Sequence, residues 1–182
     1  GRAAGRTNSR AAARRLRLLA NAGLIRSVRA LVRPVEPLTA PVAAWTPGDP
    51  PPDFAALAWR LERRWRAALV PQPVLFATAR SVRVFGGWAS GRLGNVGQLS
   101  HDLHVAEVYL HFLTARPERA ARWVAGELLK ASAGRNQKVP DAVLVDGPVQ
   151  TLAIDFGGLY DARKLAAFHR NMLARRLPYE VW

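Results

Sequence analysis

Cysteine is absent from all 182 residues. Its absence removes disulfides and thiolate zinc sites and is in keeping with a cytosolic chain. Long apolar runs are missing too: none approaches the roughly 20 residues that span a bilayer, and no signal-peptide pattern opens the chain. A cytoplasmic, nucleoid-associated location with no membrane partner is the expectation. The first carboxylate is Glu36, so residues 1–33 carry nine arginines and no acid. The front half also lacks lysine: residues 1–95 hold 16 Arg against 4 acids, and residues 96–182 hold 11 Lys and Arg against 9 acids. Arginine forks onto phosphates and guanine edges better than lysine does. A net charge of +14 placed so unevenly points to nucleic acid as the partner. A genome-wide arginine bias is the bland alternative, and the nearly balanced back half argues against it as a full explanation.

What remains is ordinary globular material. Apolar residues make up 49% of the chain, and its length suits one large domain or two small ones. Asn8-Ser9 offers a helix cap, and Arg10 to Asn21 has helical periodicity. Leu16, Leu19 and Ala20 form one stripe; Arg10, Arg14 and Arg17 form another. Gly23 is a helix stop. Leu24 to Val32 then reads as a strand carrying Arg26 and Arg29, with Arg33 just beyond. Helix, Ala-Gly-Leu-Ile and basic strand resemble the recognition helix and wing of a winged helix-turn-helix domain. That resemblance implies Ser9 to Ala12 in a major groove and Arg26, Arg29 and Arg33 near phosphates. Too little chain precedes the turn for the motif's first helix. A basic surface helix without groove preference is the competing reading.

Seven prolines fall between residues 34 and 53, with room for an edge strand within Pro34 to Ala44, such as a returning wing. Asp53-Phe54 opens a helix to about Leu69, with Phe54, Leu57, Leu61, Trp65 and Leu69 at helical spacing. Trp59 and Trp65 are candidates for stacking on bases, and Trp65 sits on the apolar stripe that marks core. Val74 to Thr78 and Ser81 to Phe85 read as strands, or as strand plus turn. The glycine-rich stretch from Gly86 to Gly97 lacks the ending of a phosphate-binding loop and reads as a linker between domains 1–95 and 96–182.

In the back half, Gln98 to Ala115 reads as a helix apolar on more than one side, hence buried. Glu107 lies within it and needs a partner there. His101, His104 and His111 share a face, but capping and packing are commoner roles than zinc ligation without cysteine or a His-Glu-x-x-His motif. Ala121 to Leu129 is strand or helix, and Ser132 to Lys138 is a polar, basic loop. Val139 to Gly158 then forms a hairpin around Asp146-Gly147-Pro148. Asp141 opens its first strand and Asp155 closes its second, so the two carboxylates lie side by side. They repel unless something positive sits between them, a divalent metal being the usual answer; alternatively they are plain strand-end residues. A helix from Asp161 to Arg176 and a short strand from Pro178 to Trp182 finish the chain.

The order helix, three strands, helix, strand, with Glu107, Pro140-Asp141 and Asp155 in sequence, resembles the PD-(D/E)xK nuclease-like core. Glu127 is an alternative to the helix glutamate. Gly157 stands where that motif has lysine, and Lys164 on the following helix is the replacement the resemblance allows. The whole arrangement is similar to the replication-relaxation family of plasmid and mobile-element proteins, through Ala12 to Ile25, His101-Asp102-Leu103 to Leu110, Pro140-Asp141-Ala142, Ile154-Asp155 and Lys164-Leu165. It implies an α+β fold: an N-terminal winged helix-turn-helix-like domain followed by a restriction-endonuclease-like αβββαβ core. It also implies double-stranded DNA as partner and a role in plasmid replication or its control; a homodimer is a further candidate partner. In an active site of this kind, Asp141, Asp155 and Glu107 or Glu127 would hold Mg²⁺, and Lys164 would orient water or neutralise the phosphorane. In an inactive one no cofactor is needed. A metal-dependent endonuclease and an Arg-rich RNA-binding component are the two other readings.

Overall fold

The computed structural model describes residues 2–35, 37–87, 96–130, 134 and 138–182, without the side chains of residues 2–9 and 96. Most of the expected linker, residues 88–95, and most of the expected basic loop, residues 131–133 and 135–137, lie outside the described residues. The chain is α+β and divides into two compact units. Unit 1 holds residues 1–32 and 70–96, and unit 2 holds residues 33–69 and 97–182. The sequence predicts one division after residue 95. The structure instead gives residues 33–69 to unit 2, because their large apolar side chains, Trp45, Leu57, Leu61 and Trp65, are core residues there.

Unit 1 begins with helix α1 (Arg2–Asn21). Gly23, at φ 67°, ends it as the sequence predicts: its N–H donates to the Ala20 carbonyl and that of Leu24 to the Leu19 carbonyl, both at 2.9 Å. This paired closure is the Schellman arrangement, in which glycine takes the left-handed position without a Cβ penalty. Strand β1 (Ile25–Val32) follows. Its partner is not the expected return within Pro34 to Ala44 but β3 (Val70–Ala77), antiparallel from Ile25↔Ala77 to Val32↔Val70. Pro71 and Pro73 sit two apart, so both missing N–H groups fall on the strand edge away from β1, where a ladder bond is not needed. Ser81 to Phe85, a candidate strand by sequence, is instead part of helix α3 (Ala79–Phe85), because Thr78 caps it through the Ser81 N–H. Thr78 also ties that helix to the end of α1, with its Oγ1 donating to the Gly23 carbonyl at 2.6 Å.

Unit 2 is built on a five-stranded sheet. Strand β2 (Ala43–Trp45), helix α2 (Phe54–Trp65) and helix α4 (Val96–Ala115) come first. A short helix α5 (Pro117–Ala120), strand β4 (Trp123–Ala125) and helix α6 (Gly126–Lys130) follow. The expected hairpin is β5 (Ala142–Asp146) and β6 (Val149–Asp155), turning at Gly147 with φ 55°. Helix α7 (Ala162–Ala174), capped by Asp161, and strand β7 (Tyr179–Val181) close the unit. The sheet order is β2-β7-β6-β5-β4. Only β6 and β7 are parallel, joined by α7 as a crossover must be. Side chains alternate between two cores. Ala153, Tyr179 and Val181 join Leu57, Leu61, Leu165, Phe168 and Met172 on one face. Ile154, Phe156 and Trp182 join Trp65, Val108 and Phe112 on the other.

Helix α4 is not buried all round as the sequence implies. Ser100, His104, Val108 and Phe112 form its inward stripe, while Leu110 and Leu113 on the opposite side are about half exposed, at 49% and 48%. Spacing of four residues selects one face; the surplus apolar side chains simply lie outside it.

Candidate functional site

The hairpin brings Asp141 and Asp155 together, as its register requires: Ala142 pairs with Ile154, so the two aspartates stand opposite each other one residue further along. Asp141 is held from three sides. Its carbonyl accepts from the Gly126 N–H at 2.7 Å, and its Oδ2 accepts from the Phe156 N–H at 2.8 Å. The same oxygen lies 3.1 Å from His101 Nε2. A Cβ on Gly126 would stand 2.4 Å from the Pro140 carbonyl oxygen and 3.0 Å from that of Asp141, so only glycine permits this approach.

Asp155 is different. It is 1% exposed, and neither carboxylate oxygen has a hydrogen-bond partner of ordinary geometry. Burial first, and then the charge on Asp141, push its pKa up to about 7, against the pull of Lys138, Tyr160 and His101. Tyr160 is its neighbour. Burial and the neighbouring Asp155 and Asp141 carboxylates raise the phenol's pKa, keeping it protonated. Two ammonium groups surround that ring: Lys138 Nζ donates to Tyr160 Oη at 2.8 Å, and Lys164 Nζ lies 3.9 Å from the ring centroid. Burial and then Lys138 lower the Lys164 pKa. His101 goes the other way. Burial opposes its charge, yet Asp102 and Asp141 outweigh that and raise its pKa to about 10. The cluster is therefore a set of mutually compensating charges: imidazolium on Asp141, and two lysines around the phenol that neighbours Asp155.

Of the residues expected here, Asp141, Asp155 and Lys164 converge. Glu107 and Glu127 are not joined to them. Glu127 pairs with Lys130 at 3.3 Å on the surface. Glu107 and His101 flank the inward stripe of α4 on opposite shoulders, about 120° apart around the helix and about 9 Å apart along it. The shoulder beside Asp141 carries a histidine. Among the described residues no group of three or more His, Cys, Asp or Glu side chains could hold a metal ion. The expected Mg²⁺ ligand set is thus one carboxylate short, and Mg²⁺ prefers ample room for its own waters, which a carboxylate 1% exposed does not offer. These residues do not fit the ion in the expected way.

Gly157, the departure from the motif, has a packing reason. A Cβ there would stand 2.5 Å from Leu61 Cδ1 and 2.9 Å from Val181 Cγ1. Helix α2 occupies the place a lysine would need. Positive charge comes instead from Lys138, which the sequence marks only as part of a basic loop, and from Lys164. Tyr160 has no mark in the sequence either; an aromatic residue two positions after Gly-Gly carries no local signal. The other histidines are packing groups: His104 stacks on Phe156 at 4.8 Å and bonds the Ser100 carbonyl through Nδ1 at 2.7 Å, and His111 lies against Trp182.

The arginines expected to meet nucleic acid separate into two groups. Arg10, Arg14 and Arg17 lie exposed on one face of α1. Arg26 and Arg29 are exposed on β1, but three residues apart they project from opposite faces of the ribbon, and Arg26 sits over the Phe76 ring at 5.9 Å. Arg33 does not join them. It belongs to unit 2, with its guanidinium 4.6 Å from the Trp65 ring centroid, its Nε bonded to the Trp65 carbonyl and its N–H bonded to Ser100 Oγ at 3.0 Å. The division sharpens the charge pattern: unit 1 carries eleven arginines and no acid, and all 13 carboxylates belong to unit 2.

No protein-family model matches this chain, and no curated protein and no solved structure matches it either. No helix among the described residues is long and apolar enough to cross a membrane.

Proposed function

We propose that this chain is a double-stranded-DNA-binding protein of a plasmid or other mobile element, acting on the nucleoid in replication or its control. In this reading unit 1 is a winged-helix-like DNA reader, and unit 2 is a nuclease-like core kept without nuclease activity. The observation that carries it is the segregation of charge: eleven arginines and no acid in unit 1, with Arg10, Arg14 and Arg17 presented together on an exposed helix. A surface of this kind stays solvated until a polyanion arrives, and each phosphate it neutralises releases counterions. The helix order of unit 2, its Asp141–Asp155 pair and the missing third acid support a core related to the PD-(D/E)xK and replication-relaxation families that has lost its ligand set.

A duplex-binding titration against salt tests the reading. Four arginines on phosphates (10, 14, 17 and one of 26 and 29) give a slope of about −3.6 in log K against log salt, and Arg14→Ala makes it shallower. A slope near zero, or tighter binding to folded RNA than to duplex DNA, overturns it.

The second reading, a Mg²⁺-dependent endonuclease, is favoured by one observation: both oxygens of Asp155 are buried beside Asp141 without a hydrogen bond of ordinary geometry. Supercoiled plasmid incubated with Mg²⁺ or Mn²⁺ separates the two. Nicking by the native chain that Asp155→Ala abolishes establishes the endonuclease; intact plasmid at concentrations that bind DNA supports the first reading.

A further inference from the structure

A cavity of about 450 Å³ in unit 2 lies between α2 and the segment leading into α7. Its apolar walls are Trp59, Ala58, Leu159 and Tyr160, and its polar groups are Glu62 and Asp161. Trp59 is 56% exposed, whereas Trp45, Trp65 and Trp182 are core residues of the same unit. An indole facing an open cavity offers a flat apolar surface. The two polar side chains only accept hydrogen bonds when ionised, and each has one oxygen engaged: Glu62 Oε1 by Arg66 at 2.9 Å and Asp161 Oδ1 by the Lys164 N–H at 2.7 Å. Cations flank both rings, with the Arg63 guanidinium 4.8 Å from the Trp59 centroid and the Lys164 ammonium 3.9 Å from that of Tyr160.

Each feature narrows the ligand. The volume admits one nucleotide-sized molecule and excludes a duplex. Aromatic walls select a flat ring. Acceptor-only carboxylates repel a bare anion and select a ring that presents N–H donors, as an aspartate or glutamate does with the amino group of cytosine. The cations beside the two rings suit a phosphate attached to that ring. We propose that this cavity binds an unpaired, amino-bearing nucleobase (adenine, cytosine or guanine), with Trp59 as its stacking platform and Glu62 and Asp161 receiving its N–H groups. The ring comes either from a free nucleotide or from an unpaired position in a bound strand; only the strand source rests on the DNA-binding reading above.

Equilibrium binding of AMP, CMP and UMP to the full chain tests the first source, and an otherwise identical DNA duplex with or without a single-adenine or single-thymine overhang tests the second. The expected result is a preference for adenine or cytosine over uracil or thymine in at least one arm. Trp59→Ala should cost that binding roughly tenfold or more, the scale of one lost base stack, while Trp59→Phe keeps most of it. Because Trp59 is exposed, Trp59→Ala should melt like the native chain. Fully paired duplex binding should not respond to this substitution; a native chain that binds no duplex strikes the functional reading and leaves the free-nucleotide source of the cavity standing. Absence of any base preference in both arms, or a preference unchanged in Trp59→Ala, overturns the inference.

Discussion

The two units handle charge in opposite ways. Unit 1 has eleven arginines, no acid and no described ion pair. The eight arginines whose side chains are described are exposed, where they contribute little to the fold and are open to an incoming polyanion. Unit 2 has a near balance of signs and takes part of it inside. Asp155 is buried, Asp141 is clasped by His101, and Lys138 and Lys164 gather on Tyr160. Described charge in unit 1 is open to solvent, and part of the charge in unit 2 is engaged with its own neighbours. Substitutions should therefore affect binding in one unit and folding in the other.

Gly126→Ala should have the largest effect. Its Cβ collides with backbone rather than with a movable side chain, and a loss above about 3 kcal/mol is expected, read as a lower midpoint in chemical denaturation. Replacing Arg10, Arg14 and Arg17 together by alanine should weaken duplex binding by about a hundredfold at moderate salt. It should also flatten the salt slope by about 2.7, with the melting of unit 2 unchanged. A drop in melting temperature here would break the comparison.

The pH response of unit 2 sharpens it. Asp155 moves from an ordinary 3.8 up to about 7 on folding, so its ionisation destabilises the fold as pH rises through that interval. His101 moves from 6.5 to about 10, so the stability it adds is full below 6.5 and is lost as pH rises toward 10. Both signs agree: stability should decline from pH 5 to pH 9, by on the order of a few kcal/mol. Asp155→Asn should remove the Asp155 share, leaving the variant more stable than the native chain above pH 7. Thermal melts across that range measure both. The smallest effect is expected for Arg33→Ala, at about 1 kcal/mol of stability from a lost cation–π contact and hydrogen bond. The salt slope of DNA binding should stay as it was.

Local signals in the sequence account for what was readable. Gly23 ends a helix, Asp146-Gly147-Pro148 turns a hairpin, and helices open at Asp53 and Asp161, each in the structure as in the sequence; the cap expected at Asn8-Ser9 lies instead inside α1, which starts at Arg2. The hairpin alone brings Asp141 beside Asp155. The pairing of β2 with β7 was not readable, because Trp45 and Tyr179 meet across most of the chain and three residues of edge strand carry no mark of their partner. Glu107 stands apart from the aspartate pair for a geometric reason. Spacing of four from Ser100 to Phe112 defines the inward stripe, and asking which titratable side chain flanks it on the hairpin side would have returned His101. Lys138 lies beyond any periodic element, so no pattern could have tied it to Tyr160.

The excursion of residues 33–69 out of unit 1 has a consequence for synthesis. Strand β1 cannot pair until β3 has been made, about 40 residues later, and β2 waits about 135 residues for β7. At translation rates of about 5–20 residues per second these are delays of roughly 2–8 s and 7–27 s. The arginine-rich ribbon can thus close while the segment that interrupts it is still waiting for its own sheet. A ribosome paused in the back half would display a finished basic unit beside an unfinished one, with Trp45 and Leu61 still in water.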